Sequence, residues 1–252
     1  MRFNSVALLT LLGLAVASPV PAPVAEPLEK RDAALNAFLT VLLQFLPAVD
    51  GTISAVSGIL TSFEQLVAGL TGEKTTYNEL GGACKPYTVI FARGTTEPGN
   101  VGILVGPPFF SALKSRVGKS SVTIQGVNNY GASVQGYLAG GDPNGGPEMA
   151  RQIEAARKAC PNTKLIAGGY SQGGQIVHNA AKLLSADTAQ WISKVVIFGD
   201  PFNGQAFGNI AASKTKVFCN QFDNICVNGD LILPAHLRYC ENADAASAFV
   251  AS

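Results

Sequence analysis

Lys164-Leu165-Ile166-Ala167-Gly168-Gly169-Tyr170-Ser171-Gln172-Gly173-Gly174 is a short apolar run that breaks into small residues. The first six residues read as a β-strand, and a helical pattern follows from 172 to about 186. Gly169, Ser171 and Gly173 match G-x-S-x-G, a strand-to-helix turn so sharp that only small flanking residues fit. The turn lifts the serine hydroxyl clear of the backbone. It also sets it near a helix N-terminus, where free N–H groups favour a developing negative charge. Five residues alone are a weak pattern; their position between strand and helix makes the signal specific.

Outward from this turn, the strand–helix alternation repeats. Tyr87–Ala92, Val122–Val127, Val195–Gly199 and the shorter Lys216–Phe218 are β-rich apolar runs, with helix-like stretches near 103–117 and 146–160. The expected fold is α/β: a mostly parallel five-stranded sheet with helices on both faces. Sites in such sheets form at the carboxyl ends of the strands. Upstream, Leu35, Phe38, Leu39, Leu42, Phe45 and Leu46 recur at helical spacing until Pro47. A second stripe, Ile53, Val56, Leu60, Phe63, Val67 and Leu70, ends at Gly72. Each stripe must bury its apolar face: by packing on the main domain, or as a removable lid or lipid-contacting surface.

The 252 residues are 47% hydrophobic and 14% charged, which excludes a disordered chain. Lys and Arg number 18 against 17 Asp and Glu, so no net field attracts nucleic acid. Arg2, the apolar run Val6–Val16 and Ala15-Val16-Ala17 read as a signal peptide over 1–17. A Pro-rich segment then ends in Lys30-Arg31, so 18–31 reads as a propeptide with dibasic processing. Removal of residues 1–31 would leave 15 of the 18 cationic and 15 of the 17 acidic side chains, a neutral secreted protein. No uninterrupted apolar stretch is long enough to suggest a membrane span, and no Asn-x-Ser/Thr sequon occurs. Interfacial contact is compatible with this composition, and a monomer is expected. Of the five cysteines, Cys84, Cys160, Cys219, Cys226 and Cys240, two bridges and one odd thiol are the natural count in an oxidising compartment. Spacing does not choose the pairing.

A serine nucleophile needs a base. The chain has two histidines, His178 and His236. His178 is seven residues beyond Ser171 on the same helix, about 10 Å along its axis. It is therefore read as structural, and His236, after a loop, as the base. The base needs a carboxylate on its other nitrogen. Asp187, Asp200, Asp223 and Asp230 lie between serine and histidine. Asp187 ends the serine's helix, and Asp230 has no evident constraint. Asp223, between Cys219 and Cys226, ranks ahead of Asp200, and both stay open on spacing.

Phe91-Ala92-Arg93-Gly94-Thr95-Thr96-Glu97, Gly169-Tyr170-Ser171-Gln172-Gly173, Cys219 to Cys226 around Asp223, and Pro234-Ala235-His236-Leu237 together resemble the fungal cutinases. The resemblance covers about 80 to 240, with the motifs in order. It implies a small α/β-hydrolase domain over 83–252, preceded by a helical extension over 32–82. It implies Ser171, Asp223 and His236 as triad, and bridges Cys84–Cys160 and Cys219–Cys226. It also implies an oxyanion hole at the N–H groups of Thr95 and Gln172. Thr95 stands where many members have Ser, and related acetylxylan esterases also carry Thr there. Cys240 and the extension are further departures.

The implied reaction is ester hydrolysis through an acyl-enzyme, without metal or cofactor. Leu231, Ile232, Leu233 and Leu237 flank His236, and Val134 and Tyr137 resemble the opposite wall of the cutinase crevice. These apolar residues suit an aliphatic polyester such as cutin, or short-chain fatty-acid esters. Acetylxylan esterase and lipase are the rivals within the fold. Outside enzymes, a non-catalytic surface-binding protein is the alternative.

Overall fold

The computed structural model describes residues 51–252. The signal, the propeptide and the first helical stripe lie outside the described residues. Five strands form one parallel sheet: β2 (Tyr87–Ala92), β3 (Val122–Gly126), β4 (Lys164–Tyr170), β5 (Lys194–Phe198) and β6 (Thr215–Phe218), in the order β3-β2-β4-β5-β6. Alternation along β2 builds two cores. Val89 and Phe91 face one side, with Phe109, Phe110 and Phe198. Ile90 and Ala92 face the other, with Met149, Ile153 and Ile176. Both faces are apolar because helices cover both.

On the first face lie α1 (Ile53–Thr71), α2 (Gly106–Val117) and the C-terminal α8 (Ala243–Ala251). On the second lie α4 (Gly145–Ala159), α5 (Gln172–Leu183) and α6 (Ala186–Trp191). The helix expected over 172–186 is thus two. It stops at Leu183, and Ser185 caps α6 by accepting from Thr188 N–H. Asp187 therefore sits in the first turn of α6 rather than at the end of the serine's helix. Two short helices, α3 (Val134–Leu138) and α7 (Pro234–Leu237), flank the strand ends.

The second apolar stripe does form a helix. Thr52 caps α1 through its hydroxyl, and Gly72 ends it at φ 64°, a left-handed conformation that suits glycine. Its start is tied down by β1 (Gly51–Thr52), which pairs antiparallel with β7 (Leu231–Ile232), and by Ile53 N–H donating to Asp230 O at 2.7 Å. The buried ridge is Ile53, Val56, Leu60, Glu64 and Val67. Phe63 is only half-buried and Leu70 faces solvent, so the stripe is rotated from the one read off the sequence. The helix has the length and apolarity to reach across a bilayer, but its buried ridge is packed on the domain.

Candidate active site

Ser171 sits between β4 and α5 at φ 55°, ψ −122°. That region is costly for a residue with a Cβ, about 1–3 kcal/mol, and such strain concentrates at functional sites. Its neighbours explain why the turn closes. A Cβ on Gly169 would lie 2.4 Å from Gly173 O, and one on Gly173 would lie 2.0 Å from Ala92 O. Both motif glycines are therefore required by close backbone approach. Ser171 N–H donates to Phe198 O at 2.9 Å, which ties the elbow to β5.

Asp223 and His236 meet across the loops that follow β6. Asp223 Oδ2 lies 2.8 Å from His236 Nδ1, and both residues are buried. Asp223 Oδ1 accepts from Ile225 N–H at 3.0 Å, and Tyr239 OH donates to Oδ2 at 2.5 Å. Burial works against the carboxylate, yet the hydrogen bonds from His236, Tyr239 and Ile225 prevail and hold Asp223 below the ordinary carboxyl value. The Cys219–Cys226 disulfide brackets this loop, and Cys84–Cys160 ties the start of the domain to the end of α4. Cys240 is buried and outside both bridges.

The His236 ring stacks on Tyr170 at 5.1 Å, and Tyr170 OH donates to His236 O at 2.9 Å. Gly199, at φ 60°, leaves room for the ring; a Cβ there would meet Cε1 at 2.8 Å. With Nδ1 committed to Asp223, Nε2 is buried with no hydrogen-bond partner among the described residues. His236 lines one small cavity with Ser171 and Thr95.

Asp200 serves another partner. Its Oδ2 lies 2.9 Å from His178 Nε2, and its Oδ1 accepts from Phe202 N–H. His178 is fully buried and stacks on Phe207 at 3.9 Å. The second histidine is thus paired inside the second core, away from Ser171.

Thr95 and Gln172 come together at the strand ends. Gln172 opens α5, where first-turn N–H groups have no intrahelical acceptor. Its side-chain Nε2 donates to Thr95 Oγ1 at 2.9 Å and to Ser133 O at 2.8 Å. The loop carrying Thr95 is pinned by Glu97, whose carboxylate oxygens accept from Gly94, Ile103 and Leu104 N–H at 2.8–3.0 Å. Thr96 beside it has φ 70°, a strained value for a β-branched residue.

The wall residues divide. Ile232 and Leu237 line the cavity with Ser171 and His236. Leu231 faces solvent and Leu233 is half-buried. Val134 packs on the first core. Tyr137, whose OH donates to Gly229 O, lines a separate open groove of about 510 Å³ with Phe202 and Asn228 to Asp230. Over Ser171 the cavity measures only about 10 Å³, because Ile53, Leu60 and Glu64 of α1 close it. Ser171 is 2% exposed. The sequence offered this stripe as a removable lid without placing it over Ser171; Glu64, the one ionisable residue in its apolar stretch, was the available signal. Nor did the sequence single out Tyr239 or Tyr170, which support Asp223 and His236.

A parallel sheet with a serine elbow at one strand end and a His–Asp pair on the succeeding loops is the α/β-hydrolase arrangement. The family model described as Cutinase matches residues 83–252. The chain is 47% identical over 250 residues to the cutinase of Hypocrea jecorina (strain QM6a), covering 98% of each. It is 56% identical over 168 residues to the cutinase of Botryotinia fuckeliana, covering 67% of this chain and 83% of that one. Its fold matches a structure of Trichoderma reesei cutinase in complex with a C11Y4 phosphonate inhibitor, with a TM-score of 0.72 and 45% identity over 86% of this chain and 97% of that one. The catalytic core of acetyl xylan esterase from Trichoderma reesei is more distant, with a TM-score of 0.52 and 25% identity over 67% of this chain and 98% of that one. The chain belongs to the cutinase family.

Proposed function

We propose that this protein is a secreted serine esterase that hydrolyses the ester bonds of cutin and of short-chain fatty-acid esters. Ser171 is the nucleophile, His236 the general base and Asp223 the carboxylate that orients it. The observation that carries the reading is His236 itself: Nδ1 is bound to a buried carboxylate, Nε2 has no partner among the described residues, and the residue lines the same cavity as Ser171.

The chemistry follows from these positions. His236 Nε2 takes the proton of Ser171 as Oγ attacks the ester carbonyl. Asp223 stabilises the imidazolium and keeps the proton-accepting nitrogen directed inward. Charge developing on the carbonyl oxygen meets N–H groups of Thr95 and Gln172, about 3 kcal/mol for one good donor. His236 then returns the proton to the leaving alcohol. Water, deprotonated by the same nitrogen, hydrolyses the acyl-enzyme. Nothing in this sequence calls for a metal or cofactor.

Ile232 and Leu237 give the acyl side an aliphatic lining, and the family relationship points to cutin. Labelling with a fluorophosphonate, located by mass spectrometry, tests the nucleophile: the adduct should lie on Ser171. Release of hydroxy fatty acids from cutin tests the substrate. Turnover of acetylated xylan with no such release would reassign the enzyme to acetylxylan. Labelling of no serine would favour a non-catalytic surface binder.

The processing reading belongs to the same proposal: signal over 1–17, propeptide over 18–31, helical extension over 32–82, esterase domain over 83–252, acting as a monomer. N-terminal sequencing of secreted protein should give Asp32. A start at Ser18 would refute the dibasic cut.

A further inference from the structure

Glu64 is the only ionisable side chain in α1. It belongs to the ridge the helix buries, at 2% exposed, while Ile59, Leu66 and Leu70 face solvent. A charged group is normally left on the wet side of a surface helix. Here the acid is turned inward, over the cavity that contains Ser171, Thr95 and His236.

Its hydrogen-bond geometry suits a protonated acid. Glu64 Oε2 lies 3.2 Å from Thr96 Oγ1, and Thr96 Oγ1 lies 2.5 Å from Thr95 O. A hydroxyl has one hydrogen, and a carbonyl oxygen can only accept. The single Thr96 hydrogen has two acceptors in reach, Thr95 O and Glu64 Oε2, so when it is directed to Thr95 O a neutral Glu64 can supply the hydrogen of the second contact. The ionisable groups facing Glu64 are Glu97 and Arg93 from the loop after β2, Tyr170 at the end of β4, and His236 on α7. The elements packed most closely on α1, namely β1, β7 and α3, add only Tyr137 as a titratable residue. Glu97 has three backbone N–H donors to support a negative charge, and Glu64 has none among the described residues. The proton of this acid pair therefore resides on Glu64.

We propose that α1 is a lid over Ser171 latched by the proton of Glu64: closure holds the neutral acid against Thr96, and loss of the proton releases the helix. This regulates the site described above and rests on the esterase reading for what the opened cleft does. Opening moves the contact on Thr96, the residue next to Thr95, so the latch and the proposed oxyanion loop share one strained turn.

The direction of the pH dependence follows. Burial first, then Glu97, pushes Glu64 from 4.5 up to about 9 in the closed state. An open, solvated Glu64 has the ordinary value. Closure is at full strength below that value, because both states then hold the proton. It weakens as pH rises between the two values, by about ten-fold per pH unit for one proton.

The test uses the full chain, wild type and Glu64→Gln, whose amide imitates the neutral acid. Hydrogen–deuterium exchange of α1 amides is read against α4 of the same molecule from pH 5 to 9, so that base catalysis of exchange cancels. In the wild type, protection of α1 relative to α4 should fall by up to about ten-fold per pH unit. In Glu64→Gln the ratio should stay flat. The rate of fluorophosphonate labelling at Ser171, wild type over Glu64→Gln, should climb over the same range. A flat wild-type protection ratio, or an α1 unprotected at pH 5, overturns the latch whether or not the variant folds. An equal fall in both proteins overturns it too. A normal exchange response with no labelling of Ser171 would sink the esterase reading and leave the latch standing.

Discussion

Asp223 and Asp200 each hold a buried histidine, and only one of those histidines faces Ser171. Their asparagine variants should therefore separate cleanly. Asp223→Asn keeps the shape but favours the wrong tautomer of His236 and cannot stabilise imidazolium, so kcat should fall about 10⁴-fold. Asp200→Asn should leave kcat within a few-fold and lower stability by about 1.5–3 kcal/mol, the range for a hydrogen bond involving a charged group. Steady-state kinetics with urea unfolding distinguishes them; equal losses of turnover would contradict the assignment. Tyr239→Phe removes a donor from Asp223 Oδ2 and an acceptor from Asn220 N–H. We expect a stability loss of about 2 kcal/mol and a changed acid limb. Asp223 is held below its ordinary value, with burial opposing, so its stabilisation is present above that value and lost as pH falls through the depressed one. Without the Tyr239 hydroxyl the depression is smaller, so the acid loss should be smaller and complete at higher pH, and the wild-type advantage should shrink as pH falls. Urea midpoints from pH 3 to 7 that shift by a constant amount would refute this.

Among the elements, α1 separates what sequence pattern reveals from what it hides. Its existence and its stop at Gly72 were legible, because apolar spacing and a glycine cap are local signals. Its phase was not. Phe63 was read as inward, whereas Glu64 occupies that ridge; an acid reads as solvent-facing unless its neighbour supplies a reason for it to stay neutral. The five strands and the elbow were legible from β-rich runs and from glycines that the backbone demands. The β1–β7 pair was not, since two residues on each side carry no period and only the tertiary fold brings them together. Likewise α3 has five residues, too few to show a helical period. The packing of α1 has a measurable consequence. Leu60 is buried against the cavity, so Leu60→Ala should weaken closure by about 2 kcal/mol, a gain of roughly 30-fold in the rate of fluorophosphonate labelling at Ser171. An unchanged rate would mean that α1 does not limit access.

For the molecule as a whole, the two disulfides act on different quantities. Cys84–Cys160 spans 76 residues and joins the segment before β2 to the end of α4, remote from Ser171. Cys219–Cys226 spans 7 residues and encloses Asp223. Loop-closure entropy assigns about 4.5 kcal/mol to the long loop and about 2.4 kcal/mol to the short one. If stability and turnover were one property, the long bridge would matter more for both. The geometry predicts otherwise. The double alanine variant at Cys84 and Cys160 should lose the larger share of stability yet retain kcat while folded. The variant at Cys219 and Cys226 should lose less stability but most of its turnover, because Asp223 then samples positions from which it no longer orients His236. Urea unfolding and kcat measured on the same preparations, well below each midpoint, test the division. A fall in kcat that tracks the stability loss in both variants would show that the short bridge only staples the fold.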